Sequence, residues 1–194
     1  MGMFGPNDPI VQVTTGNFRT TVDQFDATQL NNKAQNALGT LYYDNAISVL
    51  NPNGLMSVYK YVRYNSVTNP ALGAAPGVVY YTDETLTVVS GTLADGLGGS
   101  NLFAGWLMPN TTDLPNLTAA KLNGNFCWIC VGGFLSQAVS PALIVAGDNV
   151  IPAAGNFTTT RVASGVALVQ RSAGIAMSAV AANKADFLVP FVFA

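Results

Sequence analysis

The stretch from Asn125 to Gly133 reads N-F-C-W-I-C-V-G-G and holds both cysteines of the chain. Its reading decides the fold. A working Cys-x-x-Cys needs a helix N-terminus that gathers both sulfurs on one side and lowers the first thiol's pKa. Phe126, Trp128, Ile129 and Val131 favour a strand instead, and Gly132-Gly133 reads as its end. Along a strand, residues three apart point to opposite faces. Cys127 then sits with Ile129, Cys130 sits with Trp128, and the sulfurs do not meet. Neither a disulfide nor a thioredoxin-like pair is expected. With no histidine and no second cysteine pair, a four-ligand structural zinc site fails on ligand count. Two reduced cysteines buried as small core residues is the reading that remains.

The same grammar extends on both sides. T-L-Y-Y-D-N-A-I-S-V-L and L-M-S-V-Y-K-Y-V-R-Y flank N-P-N-G at 51–54, a turn sequence, so they predict a hairpin. In its second arm Val58, Lys60, Val62 and Tyr64 share one face, and Tyr59, Tyr61 and Arg63 the other. V-V-Y-Y-T-D-E and T-L-T-V-V-S follow a Pro/Gly/Ala turn cluster, and G-T-L-A-D-G-L-G-G-S-N reads as a loop. After the cysteines come A-L-I-V, G-V-A-L-V-Q, G-I-A-M-S-A-V and F-L-V-P-F-V-F, separated by Gly, Pro, Asn and Asp. No stretch alternates strands with long helices, as a parallel sheet requires. An antiparallel β-barrel or sandwich over residues 40–194 is the expected architecture. The last strand, Phe187 to Phe193, is apolar on both faces, and Pro190 places it at a sheet edge.

Residues 1–39 read differently. Pro6 and Pro9 oppose a helix, and V-Q-V-T-T alternates, so residues 1–20 form an extended arm. Thr21 to Gln24 fits a capping box. Val22, Phe25, Leu30, Ala34 and Leu38 then make one helical face, and Gly39 is a stop.

Composition narrows the function. Charged residues are 9% of the 194, against about 25% in a typical domain, while hydrophobic residues are 49%. The eight basic residues are scattered singly from Arg19 to Lys184, so no stripe exists to neutralise phosphates, and nucleic-acid binding is not expected. The uncharged run from Leu122 to Gly147 is long enough to span a bilayer, but its Asn, Ser, Pro and glycines read as strands and turns. No membrane partner is expected, nor export by the general secretory route. A surface of Asn, Thr, Ser, Gly and Ala has little charge repulsion to keep copies apart.

Catalytic groupings are missing. Without histidine there is no Ser-His-Asp or Cys-His arrangement, and a Ser-Lys mechanism is not expected, none of the four lysines being read in an S-x-x-K spacing. Asp83 and Glu84 adjoin at a strand end and read as a solvated turn. Asp23 and Asp26 suit a helix start, and Asp95 and Asp148 sit in turns without a calcium-loop pattern. The Asn-x-Thr sequons at Asn110, Asn116 and Asn156 matter only in a secreted protein. The expectation is no catalytic, metal or cofactor site.

A-L-G-T-L-Y-Y leading to V-Y-K-Y-V-R-Y-N, then V-V-Y-Y, N-G-N-F-C-W-I-C-V-G-G, the turn Gly147-Asp148-Asn149-Val150 and G-I-A-M-S-A-V form an ordered set. This order resembles the capsid decoration, or cement, proteins of tailed bacteriophages, over about residues 37 to 194. The resemblance implies a compact, usually oligomeric β domain. It implies a virion location, with the major capsid protein and further copies of the chain as partners, and no cofactor. A head-fibre base, a tail or baseplate component, or a carbohydrate-binding module suggested by Trp106 and Trp128 are the alternatives.

Overall fold

The computed structural model describes residues 33–44, 55–68, 76–97, 102–108, 123–141, 143–155, 157–166 and 172–191. These residues form ten strands: β1 Leu41–Asp44, β2 Ser57–Tyr64, β3 Gly77–Tyr81, β4 Val88–Ser90, β5 Phe103–Leu107, β6 Phe126–Val139, β7 Asn149–Pro152, β8 Thr159–Val162, β9 Gly174–Ala176 and β10 Lys184–Val189. All ten join one sheet in the order β1-β2-β4-β3-β5-β6-β10-β9-β7-β8. Every pairing is antiparallel except β2–β4. The mainly β, antiparallel architecture expected from the sequence is the one that forms.

One further pairing shapes the molecule. β6 also bonds to β2, with Tyr61 opposite Trp128 and Arg63 opposite Phe126. β2, β4, β3, β5 and β6 therefore make a closed circuit of five strands. β10, β9, β7 and β8 continue from the second half of β6 as a wing.

β6 carries both parts because it runs through its glycine pair instead of stopping there. Gly133 lies at φ +87°, a left-handed conformation, and a Cβ there would collide with the Met56 carbonyl. Between Val58 and Tyr59 of β2 the β2–β6 register slips. The resulting bulge turns the strand and increases its twist, and Phe126–Gly133 pair with β2 while Gly133–Val139 pair with β10.

Other expectations need correction or sharpening. β1 and β2 do pair antiparallel, Leu41 opposite Lys60 and Asp44 opposite Ser57; the N-P-N-G turn lies outside the described residues. The described part of A-L-I-V, residues 143–145, is not a strand: Leu143 is in a turn at φ 64°, Ile144 is buried and Val145 is exposed. β5, β7 and β8 form from stretches not singled out above. Within the stretch read as a loop, Leu93–Asp95 makes a turn of 3-10 helix. β10 is interior, between β6 and β9, and ends at Val189. Pro190 falls one residue beyond it, where a missing N–H removes no ladder bond. The helix over 21–38 lies mostly outside the described residues, as does the arm at 1–20. Its described end, Lys33 to Gly39, is bends and a turn, closed by Gly39 N–H donating to the Tyr61 carbonyl at 2.8 Å.

Ring and wing share one core. Trp106 of β5 is fully buried, stacks on Phe187 of β10 at 5.4 Å, and its indole N–H donates to the Ala173 carbonyl at 2.8 Å. A buried Trp finds a partner for its N–H in this way. Where β1, β2 and β6 meet, Tyr61 lies 4.9 Å from Trp128 and 6.1 Å from Phe126, and Tyr42 meets Trp128 edge-on.

Candidate interaction surface

The residues with the most reactive chemistry are placed in the core. Cys127 and Cys130 are free and buried, and burial pushes both thiols up to about 12. A thiol so raised is neutral at ordinary pH and a poor nucleophile. Trp106 and Trp128 are buried as well, so neither offers an open ring to a sugar. Ser57-Val58-Tyr59-Lys60 spells the S-x-x-K spacing of Ser-Lys hydrolases, which corrects the expectation that none of the four lysines carries it. On a strand that spacing separates the pair. Ser57 Oγ donates to the Phe134 carbonyl at 2.7 Å, while Lys60 Nζ donates to the Tyr81 hydroxyl at 2.9 Å. Burial lowers the Lys60 pKa, and Asp83 works against that shift. Among the described residues, no group of three or more His, Cys, Asp or Glu is placed to hold a metal ion.

The acidic residues organise turns. Asp83 accepts from the Thr85 hydroxyl and from the N–H groups of Thr87 and Val88 at 3.3 and 3.2 Å. Asp95 accepts from the hydroxyls of Ser66 and Ser90 at 2.6 and 2.7 Å and from Val67 N–H at 3.0 Å. Burial opposes its charge, but the hydrogen bonds from Ser66 and Ser90 outweigh it, and the carboxyl is held below its usual range. Asp148, 1% exposed, accepts from Arg161 Nε at 2.6 Å, Val145 N–H at 3.0 Å and Ser164 N–H at 2.9 Å. The Arg161 bond is the main reason its carboxyl also sits low. Asp186 accepts from Ser136 Oγ and Gln137 N–H, both at 3.0 Å, across the irregularity in the β6–β10 register. Asp23, Asp26 and the three sequon asparagines lie outside the described residues.

What the described surface does offer is apolar. Residues directly opposed in an antiparallel pair share a face. Leu188 opposes Phe134 on β6 and Ile175 on β9, on the face away from Phe187 and Val189. The row extends to Met56, whose carbonyl accepts from Phe134 N–H at 3.1 Å. Phe134 is covered, but Ile175, Leu188 and Met56 are 37%, 44% and 50% exposed. Met177, one alternation along β9, and Phe191, whose ring sits over Gly132, are exposed beside them. Asp186 on the same face is already engaged by Ser136 and Gln137. The arrangement can bury apolar area against a partner and has little charge to desolvate on the way.

Comparisons with family models, with curated proteins and with solved structures give no match for this chain.

Proposed function

We propose that this chain is a non-enzymatic structural protein of a phage virion. In this reading it binds the outer surface of the head through the major capsid protein, assembles with further copies of itself, and reinforces the shell. The observation that carries the reading is the half-exposed apolar row Met56–Phe134–Leu188–Ile175. It sits on a β scaffold whose Asp83, Asp95, Asp148 and Asp186 carboxylates are engaged by its own chain. The ordered phrases that resemble those of decoration proteins are a second support for it.

The physics suits the task. A clip across capsomer joints adds buried area at each joint, and apolar burial contributes roughly 25 cal/mol per Å² before association costs. Repetition over a lattice multiplies a modest contact. Contacts between uncharged groups are also insensitive to salt, unlike ion pairs. The arm at residues 1–20 belongs to this reading as a reach onto a neighbouring subunit.

The test is the amount of this chain relative to major capsid protein in purified particles, by quantitative mass spectrometry. A fixed ratio comparable to the number of capsomers or capsid subunits supports decoration. A handful of copies moves the chain to the tail or a vertex, and absence from particles discards the virion reading. Undiminished particle binding after deleting residues 1–20 would remove the arm from the proposal while leaving the rest.

A further inference from the structure

β7 and β8 stand at the end of the strand order farthest from β1, yet the turn between them returns to the five-strand circuit. Phe157, in that turn, is 4% exposed and lies nearly parallel to Tyr64, with centroids 6.3 Å apart and planes at 21°. Its N–H donates to the Gly91 carbonyl at 2.8 Å. The slot that holds the ring exists because two of its walls are glycine. A Cβ on Gly77 would lie 2.6 Å from Phe157 Cβ, and one on Gly91 would fall inside the ring's contact distance. The Tyr80 hydroxyl adds one bond to the hairpin, to the Ala153 carbonyl at 3.3 Å.

The rest of the grip runs through β7, where Val150 is buried and its carbonyl accepts from Ala173 N–H at 2.8 Å. Among the described residues β8 has β7 as its one strand partner, and Thr160 and Arg161 are exposed. β7 meets β9 over two residue pairs, Asn149 with Ile175 and Val150 with Gly174. The feet are tied to each other: Asp148 holds Val145 ahead of β7, and Arg161 and Ser164 in and after β8. The docked position also carries two costs. Phe157 sits at φ 58°, where a bulky side chain is an outlier. The Thr159 hydroxyl is buried with no hydrogen-bond partner. Water satisfies the Thr159 hydroxyl when the hairpin lifts, and such features persist only where the surroundings over-determine them.

We propose that the β7–β8 hairpin is a latched flap, held shut by Phe157 in the Gly77–Gly91 slot and able to open as a unit while the five-strand circuit stays folded. Opening uncovers an apolar slot one ring wide, floored by Tyr64. The inference is independent of the virion reading.

Native-state hydrogen exchange on the full chain tests it. In Phe157→Ala, amides of residues 150–162 should exchange on the order of tenfold faster or more, while β2 and β6 stay within about twofold. Gly91→Ala, which keeps the ring and fills its slot, should give the same local pattern. The unsubstituted protein in sub-denaturing urea supplies a reading that needs no variant. Hairpin amides should open with a weaker urea dependence than β2 and β6, because a local opening exposes less surface. Equal acceleration throughout the chain, no acceleration in the hairpin, or one shared urea dependence for hairpin and ring would overturn the proposal.

Discussion

Ring and wing share β6 but bury their side chains differently. β3 and β5 are buried at all five positions each, and β2 at six of eight. In the wing, β7, β9 and β10 alternate instead, with one side of each strand covered and the other partly open. A strand buried on both faces lies between two packed layers, whereas an alternating strand has a core on one side and solvent on the other. The ring is therefore the part that holds the fold, and the wing is the part with surface left to use. Its exposed alternate positions include Leu188 and Ile175, and its far hairpin returns one aromatic side chain, Phe157, to the ring.

Substitutions can break this contrast or sharpen it. The largest effect is expected at Trp106, where ring and wing meet through the Phe187 stack and the Ala173 hydrogen bond. Trp106→Ala should cost about 4 kcal/mol in urea unfolding; a loss near zero would mean that the two parts do not share a core. Gly133→Ala comes next, at about 2–3 kcal/mol, because the new Cβ meets main chain that cannot step aside. A neutral result there would show that β6 does not bulge where it changes neighbours.

Acid should separate wing from ring less sharply. The Asp148 carboxyl is held low in the folded state, first by Arg161. Its contribution is therefore present above the unfolded carboxylate pKa, about 4. It is lost as pH falls through the folded value. Melting temperatures followed from pH 7 to pH 3 should fall at the acid end, and Asp148→Asn should flatten that fall while lowering the neutral-pH value. An unchanged acid slope would remove Asp148 as a source.

Thiol labelling probes the ring alone. Cys127 and Cys130 should stay silent toward a disulfide reagent at pH 8 in the native protein and both react in denaturant. Fast native labelling would contradict their burial. The smallest stability change is expected on the open face of the wing. Leu188→Ser should alter stability by about 0.5 kcal/mol or less, yet weaken attachment to particles. Unchanged attachment would take the apolar row out of the proposed interface.

Much of this was legible from residue order. Phe126 to Val131 is a strand because its aromatic and β-branched residues suit one, and strand parity alone placed Cys127 and Cys130 on opposite faces. The antiparallel β1–β2 pairing, the V-V-Y-Y strand and the turn at Gly147-Asp148 followed from the same local rules. β5 escaped notice because F-A-G-W-L is short and carries a mid-strand glycine, which weakens the local signal. β10 was misplaced to an edge because a proline within an apolar run was taken to lie inside the strand. The apolar row escaped for another reason. Met56, Phe134, Ile175 and Leu188 are far apart in the chain, and only strand order sets them side by side.

The sequence by itself therefore determined the β class, the fate of the cysteines and the scarcity of charge that any function must accommodate. These depend on side-chain chemistry and a period of two residues, which are local. Tertiary structure alone decided that β6 passes through Gly132-Gly133, that β2 closes the circuit by pairing with it, and that Phe157 comes back to Gly91. Those outcomes depend on backbone groups that are alike in every residue and on contacts between distant segments, so no local pattern of side chains encodes them.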